Sequence, residues 1–141
     1  VVYDNLAKGK VAQWFCNADV IHTMGYSPDL AKGTAMLGNT PDAFNQVWNL
    51  PVDMDSLTGR EWISLFANEM QKSGKIQLVT VWEIRLMGLF VPVLREMPEM
   101  MYQFDRPYLF DCSKFLGRFD FKPTPNKEAV KLTVAELSKA G

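Results

Sequence analysis

Few residues in this chain could do covalent chemistry, and their spacing is restrictive. One histidine, His22, and two cysteines, Cys16 and Cys112, are its soft donors. The cysteines lie far apart with no Cys-x-x-Cys pair, so they read as reduced, buried thiols. With His22 they cannot complete a zinc site unless carboxylates join them. Acid–base work by a tyrosine needs a nearby cation to lower its pKa, as a lysine one helical turn later would do. The four tyrosines, Tyr3, Tyr26, Tyr102 and Tyr108, are followed four residues on by Ala7, Leu30, Arg106 and Cys112. A dinucleotide's pyrophosphate needs a glycine-rich turn that lets backbone N–H groups approach it. The glycines stand at 9, 25, 33, 38, 59, 74, 88, 117 and 141, and no pair has G-x-G or G-x-x-G spacing. The expectation is that this chain alone carries no catalytic residue, no dinucleotide site and no metal.

Composition narrows the partners. A chain of 141 residues with 48% hydrophobic content can bury a core of its own, and residues 1–141 read as a single domain. The formal net charge of −1 leaves no basic excess to neutralise phosphates, so nucleic acid is not an expected partner. The longest apolar run, Leu86–Leu94, has nine residues and contains Pro92, against about 20 for a membrane span. No membrane association and a cytoplasmic location are expected. The chain opens Val1-Val2-Tyr3 with no methionine, which fits a fragment of a longer protein and equally the removal of a short leader.

The elements that would position these groups are short and alternate in type. Residues 1–9 read as a helix end stopped at Gly9. Val11–Phe15 is rich in strand formers, Asn17-Ala18-Asp19 has turn chemistry, and Ile21–Tyr26 is a second extended stretch. Ser27-Pro28-Asp29 reads as a helix start, with Ser27 as the cap and Asp29 complementing the positive helix end. Gln46–Leu50 reads as a strand stopped by Pro51. Thr58 and Glu61 form a capping box for a helix that Gly74 closes. Ile76–Val81 is a third strand. Trp82–Phe104 reads as two helices broken near Pro92. Tyr108-Leu109-Phe110 is a short strand, and Thr124-Pro125 starts a last helix that runs to about Lys139. Few short strands among helices predict an α+β class.

Several of these segments resemble, in order, parts of the extended short-chain dehydrogenase/reductase family, the NAD(P)-dependent sugar epimerases and dehydratases. His22-Thr23-Met24-Gly25-Tyr26-Ser27-Pro28-Asp29-Leu30-Ala31 is similar to the family's R-D-[FY]-[VI]-[HY]-V-x-D-[VL]-A segment. Gln46–Pro51 looks like its G-x-[VY]-x-[NL] strand, and Leu57–Trp62 like its [LV]-[ST]-x-x-E-[LFIW] helix start. Asp111-Cys112-Ser113-Lys114, Arg118–Pro125 and Glu128–Val134 resemble its C-terminal D-x-S-K, G-[WF]-x-P and closing-helix motifs. The likeness spans about residues 20–135, and each motif speaks for fold more than for activity.

The resemblance implies a small substrate-binding domain of mixed helices and short strands, the C-terminal portion of a Rossmann-type NAD(P) enzyme. The N-terminal dinucleotide-binding domain is absent here, and NAD or NADP would belong to the intact parent. It further implies a polar small-molecule substrate, a sugar nucleotide or a carbonyl compound. His22, Thr23 and Tyr26 would border the substrate cleft, with Arg106 reaching in from the Tyr108 segment. A histidine stands at 22 where many family members carry an arginine; it cannot grip a diphosphate bidentately. Two readings stay open for His22, a substrate-facing group or a strand-end histidine bonded to backbone. For Arg106 the second reading is a surface ion pair with Asp105 or Glu99. The methionine and aromatic stripes between Trp82 and Phe104 read first as core and second as pocket lining. An isolated copy should expose an apolar patch and form a homodimer or swapped dimer. The alternative function is a non-catalytic relative that binds a nucleotide or a partner, and a third possibility is an independent binding module.

Overall fold

A computed structural model describes residues 2–140 of the chain. It is α+β, with helices dominant and one two-stranded parallel sheet. Helix α1 (Val2–Ala7) ends where Gly9 takes φ +67°, a left-handed turn that only glycine adopts without strain. Strand β1 (Ala12–Phe15) follows and pairs in parallel with β2 (Ile76–Val79), Ala12 against Ile76 through Phe15 against Val79. The crossover between them carries α2 (Ser27–Gly38), a 3-10 turn (Pro41–Ala43) and α3 (Gly59–Glu69). Then come α4 (Val81–Gly88), a 3-10 turn (Pro92–Arg95), the single-turn helices α5 (Met97–Met100) and α6 (Tyr102–Asp105), α7 (Ser113–Arg118) and α8 (Asn126–Ala140).

Three apolar clusters hold these pieces. The first joins Leu6 of α1, Ala12 and Trp14 of β1, Trp62, Ile63 and Ala67 of α3, and Val130 and Val134 of α8. Gly59 lies directly against the Trp14 indole, so a side chain there would overlap the ring. The second cluster gathers Ala43, Phe115 and Phe119, with Trp48 packed on it. The third joins Val79, Ile84 and Met101, fixing α4 to the end of β2.

Local chemistry explains the helix starts, and several differ from expectation. The Thr58–Glu61 capping box forms as the spacing predicts, with Glu61 accepting from the Thr58 N–H at 2.8 Å. Thr80 and Glu83 make an analogous contact at 2.7 Å, which ends β2 two residues earlier than Val81. At α2 the cap position falls on Tyr26, not Ser27, and no side chain caps it. Asp29 is buried and accepts from the Thr124 N–H at 2.6 Å, tying α2 to the C-terminal segment. The start of α8 is held from a distance by Asp53, which accepts from the Asn126 N–H at 2.8 Å. Helix α3 is closed by Met70 and by Gln71, at φ +53°, before Gly74 is reached.

The expected strand at Gln46–Leu50 does not form. Asn45 takes φ +58°, no neighbouring strand presents a ladder, and Pro51 has no N–H to give one. Side chains serve the segment instead: Lys114 Nζ donates to the Val47 carbonyl at 2.9 Å, and Asn49 donates to the Asp111 carbonyl at 2.7 Å. Tyr108–Phe110 reduces to one bridging residue, Tyr108. The long Trp82–Phe104 segment breaks into four short pieces, beginning at Gly88, before Pro92.

Candidate functional site

The extended run from Ile21 to Tyr26 is the junction of the molecule. Ile21 bridges to Thr58 in antiparallel sense, and His22 bridges to Tyr108 in parallel. The His22 N–H donates to Leu57 O at 2.8 Å, the Thr23 N–H to Tyr108 O at 2.9 Å, and the Tyr108 N–H to Ile21 O at 2.9 Å. The Trp62 indole N–H donates to His22 O at 2.8 Å. These bonds leave the backbone at His22 and Thr23 fixed, so their side chains project from a rigid base.

The His22 ring lies in an aromatic stack. Phe104 is parallel to it at 4.8 Å, Tyr108 stacks at 5.2 Å, and Trp14 meets it edge-on at 5.9 Å. Its Nδ1 is buried without a hydrogen-bond partner. Burial pushes the ring's pKa below its ordinary value, and a bond donated to the Gln103 backbone carbonyl opposes that only in part. A neutral imidazole follows, held by ring faces.

Thr23 is buried. Its Oγ1 lies 2.9 Å from Ser56 Oγ and accepts from the Phe110 N–H at 3.4 Å. It lines a cavity of about 300 Å³ with Trp48, Asn49, Leu50, Val52 and Phe110. Tyr26 is half-buried and lines a second, open cavity of about 370 Å³, between the 24–28 loop, Trp62 and Phe66 of α3, and α8. Gly25 borders both cavities. Arg106 is exposed, and its guanidinium forks onto the adjacent Asp105 at 2.6 and 3.2 Å. That pairing raises the arginine's pKa and lowers the aspartate's.

The four expected site residues are therefore not gathered in one cleft. Thr23 and Tyr26 face two cavities that meet at Gly25. His22 sits behind them in the stack, and Arg106 lines neither cavity. For Arg106 the geometry is that of the surface ion pair. Residues not singled out in the sequence complete the Thr23 cavity. Trp48 and Asn49 lie in the stretch expected as a strand; the Trp48 indole N–H donates to Ala43 O at 2.9 Å, and Asn49 is oriented by the Asp111 carbonyl, 62 residues away, a partner no local pattern shows. Lys114 Nζ stands 4.1 Å over the Trp48 ring, a cation–π contact beside the cavity wall.

Among the described residues no group of three or more His, Cys, Asp or Glu is placed to hold a metal ion. None of the described helices is long and apolar enough to cross a membrane. No family model, curated protein or solved structure matches this chain.

Proposed function

We propose that this chain is the substrate-binding portion of an NAD(P)-dependent epimerase, dehydratase or related reductase, and that hydride transfer belongs to a dinucleotide-binding domain outside it. The observation that carries the reading is the junction at Ile21–Thr23. Segments that resemble the family around residues 22–31 and 57–62 meet there through the Ile21–Thr58 bridge and the His22–Leu57 bond, and Tyr108, which leads into the resembling Asp111–Lys114 segment, bridges to His22. The fourth, the tail helix α8, packs on α3 through Val130 and Val134. That several of these resembling segments are neighbours in space supports the reading; the Gln46–Pro51 segment, which forms no strand, does not add to it.

In this reading the apolar walls of the two cavities hold the body of a small molecule. The Thr23 hydroxyl and the Asn49 amide orient a carbonyl or hydroxyl group, and Tyr26 closes the adjoining side. His22 positions the Thr23 run and does not touch substrate. Two free thiols fit a reducing, cytoplasmic setting.

The test is the coding sequence upstream of Val1. The account expects a strand followed by G-x-x-G-x-x-G, and later a Tyr-x-x-x-Lys pair. The glycines without the Tyr–Lys pair would favour a non-catalytic relative instead. Absence of both would overturn the assignment.

A further inference from the structure

The cavities leave a large part of the surface unexplained. Between residues 82 and 93 the chain exposes Trp82, Leu86, Met87, Leu89, Phe90 and Val93, with Phe90 at 83% and Val93 at 73%. Trp82, Leu86 and Leu89 follow i, i+4, i+7 spacing, so they share one stripe along α4 and its C-cap. None of them lines either cavity. At ~150–250 Å² for each aromatic side chain and somewhat less for each aliphatic one, the exposed area is on the order of 700–800 Å². Summed over the six residues, that is comparable to the ~800 Å² each partner gives to a standard interface.

The charges around the patch say what covers it. Among the described residues, three of the five arginines have an aspartate partner in the chain: Arg60 with Asp19 at 2.8 Å, Arg106 with Asp105 at 2.6 Å, and Arg118 with Asp42 at 2.8 Å. The two without a carboxylate partner are Arg85 and Arg95, both exposed and both on this segment, Arg95 donating its Nε to the Gly88 carbonyl at 2.9 Å. Glu96 and Glu99, exposed on the same segment, also have no intramolecular ion pair. The segment that carries the apolar stripe thus also carries two cations and two anions with no ion pair among the described residues. A surface that meets a copy of itself across a two-fold axis needs this balance, because each sign then finds its opposite on the other copy. An anionic membrane would instead select a basic excess, which the segment lacks.

We infer that the surface of residues 82–99 is a two-fold interface with a second copy of this chain. Phe90 and Trp82 are its apolar anchors, and Arg85, Arg95, Glu96 and Glu99 form its polar rim. The interface is separate from both cavities and stands whether or not the chain serves a dehydrogenase.

Sedimentation velocity of the chain from about 1 to about 100 µM, a range that brackets the weaker interfaces of this size, tests it. A closed monomer–dimer equilibrium is expected. Phe90→Glu, at an exposed position, should keep the far-UV circular dichroism and raise the dimer Kd at least ~30-fold, as loss of a central anchor does. Val47→Glu is the control, since Val47 is 87% exposed but lies outside the segment; it should leave the dimer intact. A monomer at the highest concentration, open-ended oligomers, or equal loss from both substitutions would overturn the inference. So would Phe90-dependent co-sedimentation with phosphatidylcholine–phosphatidylserine vesicles, which would assign the face to a membrane surface.

Discussion

His22 is the residue whose chemistry and placement are most tightly bound together. It is the only histidine in the chain, so its titration can be isolated. Burial lowers its folded pKa from the ordinary value of about 6.5. On acidification the unfolded chain takes up the proton first, so the native state binds fewer protons there. Stability is full above about pH 6.5 and is lost as the pH falls through the folded value. The thermal midpoint should therefore drop between about pH 7 and pH 5, before most carboxylates titrate. His22→Phe keeps a ring in the stack and should flatten that slope; an unchanged slope would assign the loss to other groups. A second residue-scale prediction concerns Gly59. A Cβ there would overlap the buried Trp14 indole, so Gly59→Ala should cost about 1–3 kcal/mol in urea unfolding, the usual range for overpacking. At Gly74 an added Cβ meets only Ala67 Cβ at 3.5 Å, and Gly74→Ala should be close to neutral. The sequence announced neither constraint. An isolated glycine before a helix reads as punctuation, and only the approach of a ring from β1 makes it obligatory.

Among the elements, those governed by neighbours within four residues were legible, and those governed by distant partners were not. The Thr58–Glu61 box, the Gly9 turn, strands β1 and β2 and the last helix follow from local spacing. Gln46–Leu50 has strand-like composition but no strand beside it, so Lys114 Nζ meets the Val47 carbonyl and the Asn49 side chain reaches out to the Asp111 carbonyl. The start of α8 reads locally as Thr124-Pro125, yet its free N–H groups are met by Asp29 and Asp53 from other parts of the chain. Two predictions separate these cases. Thr58→Ala removes a local, exposed cap and should cost about 1 kcal/mol. Asp29→Ala leaves the Thr124 N–H without its acceptor next to a buried site and should cost about 1–3 kcal/mol. It should also increase hydrogen exchange at Thr124 and Asn126, an effect that Thr58→Ala should not share. Equal exchange in the two variants would contradict the long-range cap.

At the scale of the whole molecule, the α+β class was legible from short strands scattered among helices, and the α1–β1–α3–α8 core follows from their apolar faces. The candidate site was legible only in part. Thr23 and Tyr26 stand at cavities, but the single cleft expected for all four residues divides at Gly25, and Arg106 is held by Asp105. A pattern of residue types along a chain does not specify which side of a junction each side chain will take. We propose that this chain holds a polar substrate at the Thr23–Tyr26 run and leaves the dinucleotide to another domain. Proton–nitrogen NMR titration of the chain tests it most directly, with UDP-glucose, dihydroxyacetone and NADPH as separate probes. The account predicts that at least one of the first two shifts the amides of Thr23, Gly25 and Tyr26 in a saturable way, while NADPH leaves the spectrum unchanged. Saturable NADPH binding, or no shift at residues 23–26 with either substrate probe, would contradict it.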